Sequence, residues 1–104
     1  KRISNMTEPA PEFHIERETG ATRREYLRQL RLALPGAIST DDDRIIAADG
    51  RARLEITLTA LPPRTMAALN LPRLKVSLRG TAGNAAELAA LLDRMDRAMQ
   101  RGGG

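Results

Sequence analysis

Few residues in this chain could act as acids, bases, nucleophiles or metal ligands. His14 is the single histidine, and Glu12 and Glu16 flank it two residues away on either side. On a strand that spacing puts all three on one face, standing side by side rather than converging on an ion. The spacing therefore favours a solvated strand. Asp41-Asp42-Asp43 offers hard oxygen donors, but without the alternating ligands, glycine and closing glutamate of a calcium loop. It reads as turn chemistry at a strand entry. Gly80-x-x-Gly83-Asn84 precedes a helical stretch, where backbone N–H groups attract anions. It lacks the Lys-Ser/Thr pair of a phosphate loop, and Glu87 brings a negative charge to the spot. A turn and a helix cap explain it better.

Nucleophilic chemistry has little to draw on. The chain has three serines, no cysteine and no Gly-x-Ser-x-Gly elbow. A carboxylate that stays in water, such as Glu55 beside Arg53, makes a poor general acid. These residues point to a non-catalytic protein with no cofactor and no metal.

The cations are more informative. Lys and Arg together number 17 against 13 Asp and Glu, for a net charge of +4. Nearly all are arginine, and three sets recur at structural spacings. Arg24, Arg28 and Arg31 repeat at helical intervals, as do Arg94, Arg97 and Arg101. Arg53, Arg73, Lys75 and Arg79 fall at alternate strand positions. These ten are the candidate residues for a protein partner or an anion. A basic balance suits an acidic protein patch or a nucleic acid.

Several elements must position them. Residues 51–60 alternate polar and apolar, with Ala52, Leu54, Ile56, Leu58 and Ala60 on one side. Period two is a strand with one dry face. Asp49-Gly50 before it predicts a two-residue hairpin that pairs Ala48 with Arg51 and Ile45 with Leu54, with Ile46 outward opposite Arg53. Leu74, Val76 and Leu78 mark a further strand over 73–79, and Phe13 and Ile15 a short one over 12–17. Thr22-x-x-Glu25 is a capping box for a helix to about Leu34, stopped by Pro35-Gly36. Tyr26, Leu27, Leu30, Ala33 and Leu34 share its apolar side. Asn84-x-x-Glu87 opens a last helix to about Arg101, lined by Leu88, Leu91, Leu92, Met95 and Met99. Residues 37–43 read as a loop. Leu61-Pro62-Pro63 reads as the end of the middle strand, 64–69 as one helical turn, and Asn70 as its cap. Gly80 to Gly83 reads as a turn.

The expected fold is one α+β domain over residues 12–101. Residues 1–11 and 102–104 are expected to be disordered. The order β-α-β-β-β-α gives a four-stranded, mainly antiparallel sheet with both helices on one face. The other face stays open and carries Arg53, Arg73, Lys75 and Arg79 with Thr57, Thr59 and Ser77. From Thr22 to Arg101 the order helix, three strands, helix is similar to that of a double-stranded-RNA-binding domain. That family reads RNA with a lysine-rich start to its last helix and a Gly-Pro-x-His-like turn in its first hairpin. Here those places hold Asn84-Ala85-Ala86-Glu87-Leu88 and Asp49-Gly50. The resemblance therefore extends to element order and not to contact residues.

No leader-like stretch and no apolar run near the length of a membrane span is visible, which points to a cytoplasmic protein. The function expected is protein interaction or assembly, through a protein partner or self-association, with no membrane. The alternative is nucleic acid held by the arginine-rich surfaces. That open face has no aromatic residue on which a base could stack.

Overall fold

Both helices begin as their local sequences dictate. Thr22 caps α1 (Arg23–Ala33): its hydroxyl accepts from the Glu25 N–H at 3.1 Å, and the Glu25 carboxylate accepts from the Thr22 N–H at 2.9 Å. Asn84 and Glu87 form the same reciprocal pair at the start of α2 (Ala85–Gly103), at 2.8 and 2.9 Å. Each box satisfies two donors that a helix start leaves unpaired. The computed structural model describes residues 13–41 and 44–103, the last three as backbone only. Residues 1–12 and 104, the Asp42-Asp43 part of the acidic run and the Arg101 side chain lie outside the described residues, and with them the expectation of disorder over 1–11; the α2 backbone runs on to Gly103, past the expected helix end at about Arg101.

One sheet holds β1 (His14–Thr19), β2 (Ile38–Asp41), β3 (Arg44–Asp49), β4 (Ala52–Met66) and β5 (Leu69–Ala82). All neighbours are antiparallel, in the order β1-β5-β4-β3-β2. The α+β class with an antiparallel sheet and two helices is as the sequence implies. The strand count is five, not four. The extra strand is β2, expected as loop. Gly36, at φ 76°, turns the chain out of α1, and Ile38 then pairs with Ala47 and Thr40 with Ile45. With it the run from Thr22 becomes helix, four strands, helix, and departs from the RNA-binding order.

The core lies between the helices and one sheet face. Tyr26, Leu30 and Leu34 from the α1 side and Leu88, Leu91, Leu92 and Met95 from α2 pack in one cluster with Leu54, Ile56, Leu58, Leu74, Val76 and Leu78. No charged residue is buried among the described residues. Gly80 is part of β5 rather than a turn, and lies where a Cβ would come 2.6 Å from the Leu88 Cδ1.

Two strand boundaries differ from the sequence reading. In the first hairpin Asp49 pairs with Ala52, Ala47 with Leu54 and Ile45 with Ile56. The turn residues are Gly50 and Arg51, with Gly50 at φ 61°. Positive φ at the first central position alone is the type II′ pattern, so the glycine sits there instead of second. The register moves by two residues, which keeps every side chain on its expected face. Ile46 therefore faces out opposite Glu55, not Arg53.

The larger correction concerns residues 61–73. Pro62-Pro63 does not end β4, and 64–69 is not helical. The strand continues to Met66, turns at Ala67-Ala68 and returns as β5. Arg64 pairs with Leu71 and Met66 with Leu69. The prolines are absorbed by a register shift between Leu61 and Arg64. They are tolerated because no strand flanks the hairpin there: β3 pairs with β4 only as far as Thr57, and β1 with β5 only as far as Leu74. The result is a two-stranded arm leaving the body, consistent with dimensions of 56 × 30 × 23 Å.

Candidate functional site

The uncovered sheet face can be laid out row by row from the strand registers. One row runs His14, Arg79, Glu55, Ile46, Ser39; the next runs Glu16, Ser77, Thr57, Arg44, Asp41; a third runs Glu18, Lys75, Thr59. Arg53, Arg73, Lys75 and Arg79 thus lie on this face as expected. They do not form a bare basic field. Arg73 donates to both Glu18 oxygens at 2.7 and 3.0 Å, and Lys75 lies 3.8 Å from Glu16. Arg44 donates to Glu55 at 2.8 Å. Hydrogen bonding to Arg73 pulls the Glu18 carboxyl below its usual range, and Glu18 raises Arg73 in turn. Arg53 and Arg79 make no ion pair among the described residues. Glu18 is the residue sequence reading missed here, although it continues the alternation of His14 and Glu16.

A shallow hollow of about 340 Å³ on this face is lined by His14, Glu55, Thr57, Ser77 and Arg79. His14 Nε2 lies 3.0 Å from Ser77 Oγ and 3.7 Å from Glu16. The composition resembles a nucleophile, base and orienting acid, but the geometry does not. Both contacts use the same ring nitrogen, whereas a relay needs the acid on the other one. Among the described residues no group of three or more potential ligands is placed to hold a metal.

The face does not end with the body. β5 keeps its alternation through the prolines, so Leu69 and Leu71 stand on the same side as Arg73, Lys75 and Ser77. Their partners Met66 and Arg64 stand with them. Met66 is 56 % exposed, Leu69 63 % and Leu71 40 %. The reverse side of the arm carries Pro72 with Thr65 and Asn70, the Thr65 hydroxyl donating to Asn70 Oδ1 at 3.0 Å. The open side of the molecule is therefore charged and mixed over the body, and over the arm it carries Met66, Leu69 and Leu71 beside Arg64. A sequence signal for this existed: Arg64-Thr65-Met66 and Leu69-Asn70-Leu71 alternate around Ala67-Ala68.

The helical arginines lie away from the open face. Arg94 is paired with Asp49, and Arg97 with Asp93 at 3.0 Å. Arg24, Arg28 and Arg31 are exposed along α1 and make no ion pair among the described residues. The ten candidate residues are thus spread over separate surfaces.

On the helix side of β1, Arg17 donates to Asp96 of α2 at 2.7 and 2.9 Å, a contact not visible in the sequence. This hydrogen bonding raises the Arg17 guanidinium. The pair lines a cleft of about 570 Å³ together with Tyr26, Gln29, Val76 and Met99. The Tyr26 phenol is pushed up to about 12, mainly by burial. Arg17 and Asp96 satisfy each other, so the contact ties strand to helix rather than waiting for a ligand.

No protein family, curated protein or solved structure gives a match to the chain. Among the described residues no helix is long and apolar enough to cross a membrane.

Proposed function

We propose that this chain is a non-catalytic assembly module that binds protein through its uncovered sheet side. The observation that carries this reading is the apolar stripe of Met66, Leu69 and Leu71, held out from the body on the same side as the mixed-charge rows. A two-stranded hairpin is marginal in water alone. One that keeps an apolar stripe exposed on a projection is suited to being covered. The polar pairs around it supply register, and the apolar stripe supplies the anchor. The hydrogen-bonded Thr65–Asn70 reverse side argues for docking by one face.

The test is a photo-crosslinking amino acid placed at residue 69 or at residue 70, which the register puts on opposite faces of the arm. In cells expressing the protein, position 69 is expected to give a discrete protein adduct and position 70 none. Equal labelling at both positions, or none at either, would sink the reading.

A second reading rests on a separate observation, the exposed Arg24, Arg28 and Arg31 stripe without ion pairs among the described residues. It takes nucleic acid or another polyanion as the ligand. Three neutralised phosphates give a log–log salt slope of about −3. Replacing the three arginines by alanine should abolish retention on heparin. A salt-independent interaction, or retention unchanged in that variant, removes this alternative.

A further inference from the structure

The rows of the open face have a property that composition hides: they match themselves. Consider a two-fold axis running along the β4–β5 hairpin, in the plane between two sheets stacked face to face. It lays β5 of one copy over β4 of the other, and β1 over β3. In the first row Arg79 then meets the partner's Glu55, and in the second Ser77 meets the partner's Thr57. Glu16 lies over the partner's Arg44. On the arm, Leu69 lies over the partner's Met66. Two charge pairs, one hydroxyl pair and the two apolar residues at the tip of the arm thus meet their counterparts, while Leu71 lies over the partner's Arg64, Lys75 over its Thr59 and His14 over its Ile46. A closed two-fold contact demands this, because the same patch must serve both sides.

We infer that the occupant of this face is a second copy of the chain, related by that axis. The inference rests on the binding role proposed above and names its partner. Area supports engagement of the whole face. By strand spacing and rise, the arm alone offers about 250 Å² and arm plus body about 700 Å² per copy. A standard interface takes about 800 Å² from each partner. Arm against arm would fall well short; arm and body together come close. Turning one copy end for end instead would set Met66 and Leu69 over charged rows and leave ions covered without counterparts, which is costly. A dry-faced arm inserted into lipid would need both its sides apolar, and the Thr65–Asn70 side is not.

The experiment is sedimentation equilibrium on the full chain from low micromolar to several hundred micromolar. Masses rising from 11.4 kDa to twice that value are expected. Leu69→Glu should leave circular dichroism unchanged, since the residue is exposed, and weaken association at least thirtyfold. Glu55→Arg should weaken it too, and the swap Glu55→Arg with Arg79→Glu should restore it. That restoration separates a contact across the axis from simple loss of a charge. A monomer at every concentration overturns the inference, as does a dimer indifferent to Leu69→Glu and to the swap. Flotation of a monomer with phosphatidylglycerol vesicles would also overturn it, by making lipid the occupant. If the purified chain is monomeric while the residue 69 adduct still forms with another protein, the binding role stands and only the second copy fails.

Discussion

Tyr26 is the residue whose chemistry the fold changes most. It is 6 % exposed, with Arg17 and Asp96 as the charged groups that act on it, the first favouring its ionised form and the second opposing it. Burial, with Asp96 acting in the same direction, outweighs Arg17, and the phenol is pushed up to about 12. In the unfolded chain it ionises near 10. Between these values the native state holds a proton that the unfolded state has lost. Its contribution to stability is therefore complete below about pH 10 and is lost as pH rises through 12. Because the chain has one tyrosine, the phenolate absorbance band follows this group alone. Native protein should show its midpoint well above that of urea-unfolded protein, and Tyr26→Phe should flatten the alkaline fall in stability. Coincident native and unfolded midpoints would contradict the burial argument. Gly80 is a second position where a single atom decides. A Cβ would sit 2.6 Å from the Leu88 Cδ1 and 3.2 Å from the Phe13 Cβ, with Leu88 fully enclosed. Gly80→Ala should cost about 1–3 kcal/mol by overpacking, read from urea unfolding. The glycine was visible in the sequence, but the reason for it was not, since Leu88 and Phe13 reach it from opposite ends of the chain.

At the scale of elements, the parts governed by nearest neighbours were legible. Both capping boxes, the α1 apolar stripe and the alternation of Leu54, Ile56 and Leu58 appear as the residues imply. The first hairpin slipped by two residues without harm, because strand faces repeat with that period. The arm was missed because Pro62-Pro63 normally ends a strand, and whether it does depends on a neighbouring strand that local sequence cannot report. β2 was missed because Ile38 is its lone large apolar residue. The arm's turn carries its own prediction. Ala67 takes φ 55°, the sole non-glycine with positive φ among the described residues. A side chain in that region costs roughly 1–2 kcal/mol, and glycine belongs at that turn position. Ala67→Gly should therefore hold or raise stability by up to about 1 kcal/mol, after the entropy that glycine adds to the unfolded chain. A clear loss of stability in urea titration would mean the turn is not what its dihedral indicates. The caps give the opposite sign: Thr22→Ala should lower stability by about 1 kcal/mol.

On the scale of the whole molecule, the division of labour between body and arm decides what kind of protein this is. The candidate cations can be picked out of the sequence one by one, yet the sequence could not show which are neutralised. Arg73 meets Glu18, 55 residues away, and Arg17 meets Asp96, 79 away. The arm contributes nothing to the core: no fully buried residue lies between Leu61 and Arg73. The two strands that leave the body there are still in register, since Ala60 pairs with Leu74. Just inside that point the Leu58 carbonyl accepts from Arg23 at 3.0 Å, so α1 secures the strand before the arm departs. Joining Ala60 to Leu74 through an Asn-Gly turn should therefore give a body that folds as well as the full chain. Its thermal midpoint should change by no more than about 4 °C, the shift that about 1 kcal/mol produces in a domain of this size. Self-association should disappear with the arm, because the mixed-charge rows alone lack an anchor. A truncated chain that unfolds would show that the arm supports the body. One that folds and still dimerises would move the interface elsewhere. Folding retained with association lost is the outcome expected if the proposed contact runs through the arm, whose tie to the body is the surface pair of Arg73 with Glu18.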